Sequence, residues 1–272
     1  MSDRRLTPAN DRVVAAHLPD ADPSLARVTP TPRQVAQPVV DLMRSPGGPR
    51  DRQVIWGEHV GLLDTRDGWS FVQAEKDGYV GYLRAETLAD VRDCTHWVSA
   101  PATHVYAAPD IKSPDRHALS FGSRIAGLSD DGEFVEIAEG FVPRRHLLPD
   151  GVHLGDPVAV AALFLGTPYL WGGNSRSGID CSGLVQAALV ACGHPCPGDS
   201  DLQQQALGRD VTGDAMQRGD LLFWPGHVAL VDSPDRILHA NAHSMSVAYE
   251  PMQDALERIA AETPLSAHKR LG

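Results

Sequence analysis

Apolar positions change their period along the chain. From Val39 onward they alternate in short runs, VVDLM, QVIWGEHVGLLD and WSFVQAEKDGYVGYL, the two-residue period of half-buried strands. Asp67-Gly68 and Asp77-Gly78 predict tight hairpin turns. The segments THVYAAPD and LSFGSRIAGLSDDGEFVEIAEGFVPRRHL then repeat the scheme. Gly57 answers Gly122, Asp67-Gly68 answers Asp131-Gly132, and Gly78-Tyr79 answers Gly140-Phe141, at offsets of 65, 64 and 62 residues. A drifting offset fits loop deletions within a duplicated module. Ahead of these runs, residues 1–35 hold Pro8, Pro19, Pro23, Pro30 and Pro32 and show little periodicity beyond a short turn near Arg12 to His17. They read as an arm lying against the other domains.

Near Asp156 the period turns helical. VAVAALFLGTPYLWGG predicts one helix ended by Gly166, with Thr167-Pro168 beyond it. Leu184, Val185, Ala188, Leu189 and Cys192 predict a second, stopped by Gly193. Gln203 to Leu207 predicts a helical turn, and Asp254 to Ala261 a short terminal helix. Between these lie four strand-like runs, LLFW, HVALVD, RILHAN and SMSVAYEP, separated by turn residues. Helices followed by an antiparallel sheet make this last region α+β. The expected domains are an arm at 1–35, two small all-β modules at 36–92 and 93–150, and an α+β domain at 151–272.

Composition narrows the function classes. A formal net charge of −11 over 272 residues disfavours nonspecific binding to nucleic acid or anionic membranes. The opening MSDRRLTPANDRVVAAHL lacks the apolar run of a secretory signal, and no stretch is long enough for a membrane helix. Four cysteines are too few for a disulfide scaffold. A cytoplasmic protein with reduced thiols is the expectation. Cys192, His194 and Cys196 lack a second ligand pair, so no metal is expected.

Cys181 carries the chemistry. It sits where the Gly-rich loop from Gly172 to Asp180 becomes the first turn of a buried helix. Free N–H groups and the positive helix end there predict a lowered thiol pKa and a nucleophile. A thiolate nucleophile needs a base and an orienting group. His227 opens HVALVD and His239 lies near the end of RILHAN. A hairpin centred on Ser233 sets the two histidines face to face. Centred on Pro234, it sets His239 opposite Ala229, diagonal to His227. Either register places both imidazoles on one sheet face, expected to be where the Cys-bearing helix end packs. A centre between two residues would break the argument. His227 is then the base and His239 its orienting partner. Asn241, opposite His227 in the second register, is the rival for the orienting role.

TPYLWGGNSRSGIDCSGLVQ, RGDLLFWPGHVALV and ILHAN together resemble the NlpC family of papain-like cysteine peptidases, over about Asp156 to Met252. The two preceding β modules resemble bacterial SH3-like domains. The combination is similar to the subgroup that cleaves γ-D-glutamyl-L-diamino-acid bonds in murein peptides. The resemblance implies a papain-like domain behind two SH3-like barrels and a catalytic set of Cys181, His227 and His239. It also implies that Tyr169, Asp180, Ser182 and Ser200 line the cleft, and that Glu58 and Tyr79 of the first module read the free amine of an N-terminal L-alanine. Tyr82 is the alternative to Tyr79. The chemistry fits: the Cys181 backbone N–H and the Tyr169 hydroxyl could stabilise an oxyanion, and Asp180 could anchor a substrate amide or ammonium. No metal or organic cofactor is implied. The expected substrate is a murein tripeptide or tetrapeptide, cleaved for recycling. An exported hydrolase of intact wall, a noncatalytic wall-binding module and an acyl transferase are the alternatives.

Overall fold

The computed structural model describes residues 3–19 and 22–272. The chain divides into two compact units, Met1–Asp150 and Gly151–Gly272.

The first unit is built from strands and short 3-10 turns. Seven strands between Thr31 and Ala89 form one sheet. Its buried side chains, Val35, Val40, Leu42, Val54, Val60, Val72, Tyr79 and Leu83, make a single core cluster. Asp67 (φ 51) and Gly68 (φ 77) turn the tight hairpin between His59–Arg66 and Trp69–Ala74. Both central residues have positive φ, as a type I′ turn demands. Asp77-Gly78 differs from expectation. It lies in a longer loop, closed by Gly78 N–H donating to the Ala74 carbonyl and by Asp77 accepting from the Tyr79 N–H. The stretch read as an arm also differs. Thr31–Val35 is a strand of this sheet, paired with His59–Arg66 and Leu88–Ala89, so the sheet begins before residue 36. Val13–Ala15 pairs in parallel with Ala26–Val28. Val13 and Ala15 join Leu63, Phe71 and Val80 in a small core of their own. Three apolar residues bury enough surface to dock even in a proline-rich context. Residues 1, 2, 20 and 21 of the expected arm lie outside the described residues.

The second β module has a three-stranded and a five-stranded sheet and a separate core of Val98, Val105, Leu119, Ile125, Val135, Ile137, Val142 and Leu147. Trp56 packs against that core and stacks on His117 with ring centroids 5.0 Å apart.

The second unit is α+β. Its helices are α1 (Pro157–Ala162), α2 (Cys181–Ala191), α3 (Ser200–Ala206) and α4 (Met252–Ala260). Its main strands are β1 (Arg209–Asp210), β2 (Leu221–Trp224), β3 (His227–Ser233), β4 (Arg236–Asn241), β5 (Ser246–Pro251) and β6 (Ala267–Arg270). They form an antiparallel sheet in the order β1-β6-β2-β3-β4-β5. Asp156 caps α1, accepting from Val158 and Ala159 N–H, with Pro157 in the first helical position. The helix ends at Ala162, short of the predicted Gly166. Beyond it the backbone tightens into three-residue turns, Leu163 to Val160 and Phe164 to Ala161. α2 is buried nearly all round, from Cys181 through Ala191, the mark of a central core helix. β6 has no apolar alternation to announce it. Its buried His268 lies 2.7 Å from the buried Asp220, and Arg270 closes on the same carboxylate.

Candidate active site

Asp180 builds the start of α2. Its Oδ1 accepts from the Gly183 N–H at 2.7 Å and the Ser182 hydroxyl at 3.0 Å. Its Oδ2 accepts from the Gly172 N–H at 2.9 Å, clamping the preceding loop to the helix. Gly183 has a steric reason. A Cβ there would meet the Gly173 carbonyl and Asn174 Oδ1, both at 2.5 Å. The D-C-S-G box is therefore a cap, a sulfur and a close approach of loop to helix.

Cys181 is only 6 % exposed. Its thiol lies 4.0 Å from the Gly226 carbonyl, and its sulfur accepts backbone N–H from Val228 and Ser182. Those contacts reach both chain neighbours of His227. The sulfur's partners are backbone atoms rather than the imidazole. Burial, and then the Asp180 charge, push the thiol up to about 12, against the opposing pull of the N–H groups. This overturns the expectation of a resting thiolate: at this helix start desolvation outweighs the N–H groups and dipole.

His227 Nε2 and His239 Nδ1 are 2.9 Å apart. Burial, and then the like charge of His239, lower His227 to about 3. His239 is 1 % exposed and burial lowers it to about 4 despite the Glu250 carboxylate. At neutral pH both rings are uncharged. Trp224 pairs directly with His227 across the sheet and belongs to the cluster that holds Met252 and Ala255 of α4. Cross-strand partners share a face, so the imidazole face is the one α4 covers. The end of the Cys-bearing helix meets β3 through the backbone on either side of His227.

The register is the second of the two expected. Leu230 pairs with Leu238 and Val231 with Ile237, which places His239 diagonal to His227. Asn241 is committed elsewhere. Its Oδ1 accepts from the Ser244 N–H at 2.7 Å and hydroxyl at 3.1 Å, closing the turn into β5.

Two further side chains complete the cluster. His239 Nε2 lies 2.9 Å from Glu250 Oε2 on β5. Arg258 on α4 grips Glu250 through Nε at 2.8 Å and Nη2 at 2.7 Å. Sequence reasoning missed both. The available signal was parity: Glu250 stands opposite Ile237, which shares a face with His239.

Tyr169 is half-buried, and burial followed by the charges of Cys181 and Asp180 raises its phenol. It bridges to Ile179, two residues before Cys181. Ser182 is buried and spent on Asp180. Ser200 is the buried first residue of α3, whose cap is Asp199. In the first unit Glu58 is buried, with Oε1 2.6 Å from Lys76 Nζ and Oε2 without a hydrogen-bond partner. Tyr79 lies deep in the first module. It is 1 % exposed and belongs to the core cluster of its module, with the Arg52 guanidinium 5.1 Å over its ring. Tyr82 is partly buried against Phe71, centroids 5.0 Å apart. No cluster able to hold a metal ion occurs among the described residues. No described helix is long and apolar enough to cross a membrane.

The profile of the NlpC/P60 family matches residues 166–258, and that of the bacterial dipeptidyl-peptidase Sh3 domain matches residues 42–88. The chain is 29 % identical over 221 residues to the gamma-D-glutamyl-L-lysine dipeptidyl-peptidase of Bacillus subtilis, covering 72 % of this chain and 73 % of that protein. It is 31 % identical over 115 residues to a probable endopeptidase of Haemophilus influenzae, covering 37 % of this chain and 71 % of the relative. The crystal structure of an NlpC/P60 family protein from Bacillus cereus matches with a TM-score of 0.75 at 20 % identity, over 88 % of this chain and 99 % of that one. That likeness is one of fold.

Proposed function

Since the chain belongs to the NlpC/P60 family of cysteine peptidases, we propose that it cleaves the bond between γ-D-glutamate and a diamino acid in short murein peptides with a free N-terminal L-alanine. The observation that carries the reading is the 2.9 Å contact between His227 and His239, with the Cys181 sulfur against the backbone of Gly226 and Val228 on either side of His227. The similarity to a gamma-D-glutamyl-L-lysine dipeptidyl-peptidase supports the choice of bond.

In this reading the resting pair is a neutral thiol beside a neutral imidazole. Catalytic hydrogen bonds of unliganded sites often tighten only with substrate in place. His227 takes the thiol proton as the sulfur attacks the γ-carbonyl carbon. The tetrahedral oxyanion is held by the Cys181 backbone N–H and the Tyr169 hydroxyl. The imidazolium then returns its proton to the departing amine, leaving a thioester on Cys181. Water, deprotonated by His227, hydrolyses it and frees the sulfur. His239 orients His227. Asp180 acts by shaping the loop, and Ser182 and Ser200 border the cleft. Glu58, with one buried oxygen unpartnered, is the group we assign to the substrate ammonium. A carboxylate there also disfavours acylated stems, which bring no charge to pair. We place the enzyme in cytoplasmic recycling of wall peptides, with the second β module as a second SH3-like domain.

Synthetic L-Ala-γ-D-Glu-diamino acid, with and without N-acetylation, tests the reading. The free tripeptide should be cleaved at the γ-bond, the acetylated one poorly, and Cys181→Ala should be inert. Equal turnover of both peptides removes Glu58 from amine recognition. Turnover by the Ala variant, or preference for intact sacculi, overturns the proposal.

A further inference from the structure

His239 Nε2 is fully buried and lacks a well-aligned hydrogen-bond partner, yet Glu250 Oε2 lies 2.9 Å from it. A bare ring nitrogen that close to a carboxylate oxygen would set lone pair against lone pair. A proton on Nε2 turns the contact attractive and supplies the acceptor a buried N–H needs. We propose that Glu250, held by Arg258, is a positioning residue that fixes the tautomers of both histidines and so decides which nitrogen of His227 serves the sulfur.

Each neutral ring carries one proton. With Nε2 of His239 protonated toward Glu250, its Nδ1 is an acceptor. The partner 2.9 Å from that Nδ1 is His227 Nε2, which must then be the donor. His227 Nδ1 is left bare, able to take the thiol proton. In the opposite arrangement His239 would donate from Nδ1, His227 Nε2 would accept, and His227 Nδ1 would already carry its hydrogen, useless as a base. The neutral imidazole pair does not choose between the two arrangements. A carboxylate, which only accepts, chooses. When His227 becomes imidazolium, the same anion stabilises it through His239.

Arg258 explains why Glu250 can do this. Its two nitrogens grip both carboxylate oxygens, and this contact leads the causes that hold the Glu250 pKa low. The acid therefore stays an acceptor. Beyond the pair lies a cavity of about 410 Å³ lined by His243, Ser244, Tyr249, Glu250, Asp254 and Arg258. The carboxylate is thus reachable from solvent without disturbing the histidines.

This inference rests on the reading of His227 as the base. Its test is the proton position in the wild-type protein, read by 15N chemical shifts of the imidazoles at neutral pH, with no substrate needed. Both His227 and His239 should carry hydrogen on Nε2. A hydrogen on His239 Nδ1 overturns the proposal. In kinetics, Glu250→Gln should lower kcat about 10²-fold or more with KM unchanged, the cost of a mis-set tautomer. Glu250→Asp should retain part of the activity, and formate should partly rescue Glu250→Ala by entering through the cavity. Wild-type kcat in Glu250→Gln, or no rescue by either route, refutes the role. Should a variant fail to fold, the wild-type shifts still decide. Should the wild-type protein cleave no γ-D-glutamyl peptide, the functional reading falls separately from the tautomer result.

Discussion

His227 and His239 meet diagonally on one face of the sheet, 2.9 Å apart, because Asp232 is a bulge between them and their turn. Ser233 pairs with Arg236 around a two-residue turn, but Val231 pairs with Ile237. A two-residue turn alone would put the histidines on opposite sides of the sheet, since side chains alternate. The extra residue restores the parity. Asp232 is held in place by two guanidiniums: Arg218 donates to its Oδ1 at 2.6 Å and Arg236 to its Oδ2 at 2.6 Å.

Deleting Asp232 should therefore abolish activity by turning His227 away from His239, while Asp232→Ala, which keeps the residue count, should retain the pair. The substitution loses two ion pairs to half-exposed arginines, worth about 1 kcal/mol each at most. Peptide turnover beside thermal unfolding separates the two effects. An active, folded deletion variant would show that the bulge does not set the catalytic face.

How much of this was legible beforehand differs residue by residue. The β3 and β4 hairpin and a pair of registers, either of which sets both imidazoles on one face, follow from strand patterns and turn residues, and the pairing of Leu230 with Leu238 selects the second. The bulge that makes the register possible does not follow from them, because a two-residue turn plus one extra residue and a one-centred turn leave the same even sum. The Cys181 helix start was visible as a box of small polar residues, but the capping role of Asp180 was not, because its side chain read as a substrate anchor until its bonds to the Gly183 and Gly172 N–H groups were seen. The depth of burial that neutralises the thiol was not, since it comes from distant elements. Glu250 and Arg258 sit in stretches that read as ordinary strand-end and surface-helix charges. Only the pairing of β5 with β4 and the return of α4 bring them to His239. Tyr79 is implied by the resemblance alone, and its membership of the module's core cluster carries no pattern that sequence reading would single out.

The neutral resting thiol predicts how Cys181 meets an alkylating agent. With burial pushing it up to about 12, its thiolate fraction is small near neutrality and grows about tenfold per pH unit. Iodoacetamide modification of Cys181, followed by mass spectrometry of the labelled peptide, should accelerate across pH 6 to about 9 without a plateau. A rate already flat at about pH 6 would mean a resting thiolate–imidazolium pair, and would reverse the order of events proposed for the first proton transfer.

The imidazoles also predict acid sensitivity. His239 is lowered from 6.5 to about 4 in the folded protein, so between those values the unfolded chain binds the proton more readily. Its contribution to stability is complete above pH 6.5 and is lost as pH falls toward about 4. For this buried ring the loss is on the order of a few kcal/mol. His227, lowered to about 3, extends the window downward. His96 and His117 in the first unit are lowered by burial and act in the same direction. The comparison is therefore with His239→Gln, which leaves those two unchanged. Its unfolding temperature should fall less steeply with acid than that of the wild type. Parallel curves would mean that His239 is not held neutral by the fold.

Gly183 tests the link between loop and nucleophile. It lies in the first turn of α2, where a methyl would cost nothing by helix propensity and would even favour the helix by about 1 kcal/mol over glycine. The structure predicts the opposite sign. An added Cβ would come within 2.5 Å of the Gly173 carbonyl and of Asn174 Oδ1. The carbonyl is backbone and cannot swing aside without moving the loop. That loop is tied by its Gly172 N–H to the Asp180 carboxylate, and the same carboxylate caps the helix beneath Cys181. Gly183→Ala should thus lose about 1–3 kcal/mol of stability through overpacking, and should lower kcat by shifting the sulfur relative to β3. Ala188→Gly, deeper in the same helix, is the control: it should destabilise by cavity and entropy while leaving kcat near wild type. If Gly183→Ala is as active and as stable as the parent, the close approach of loop to helix is not what seats the sulfur.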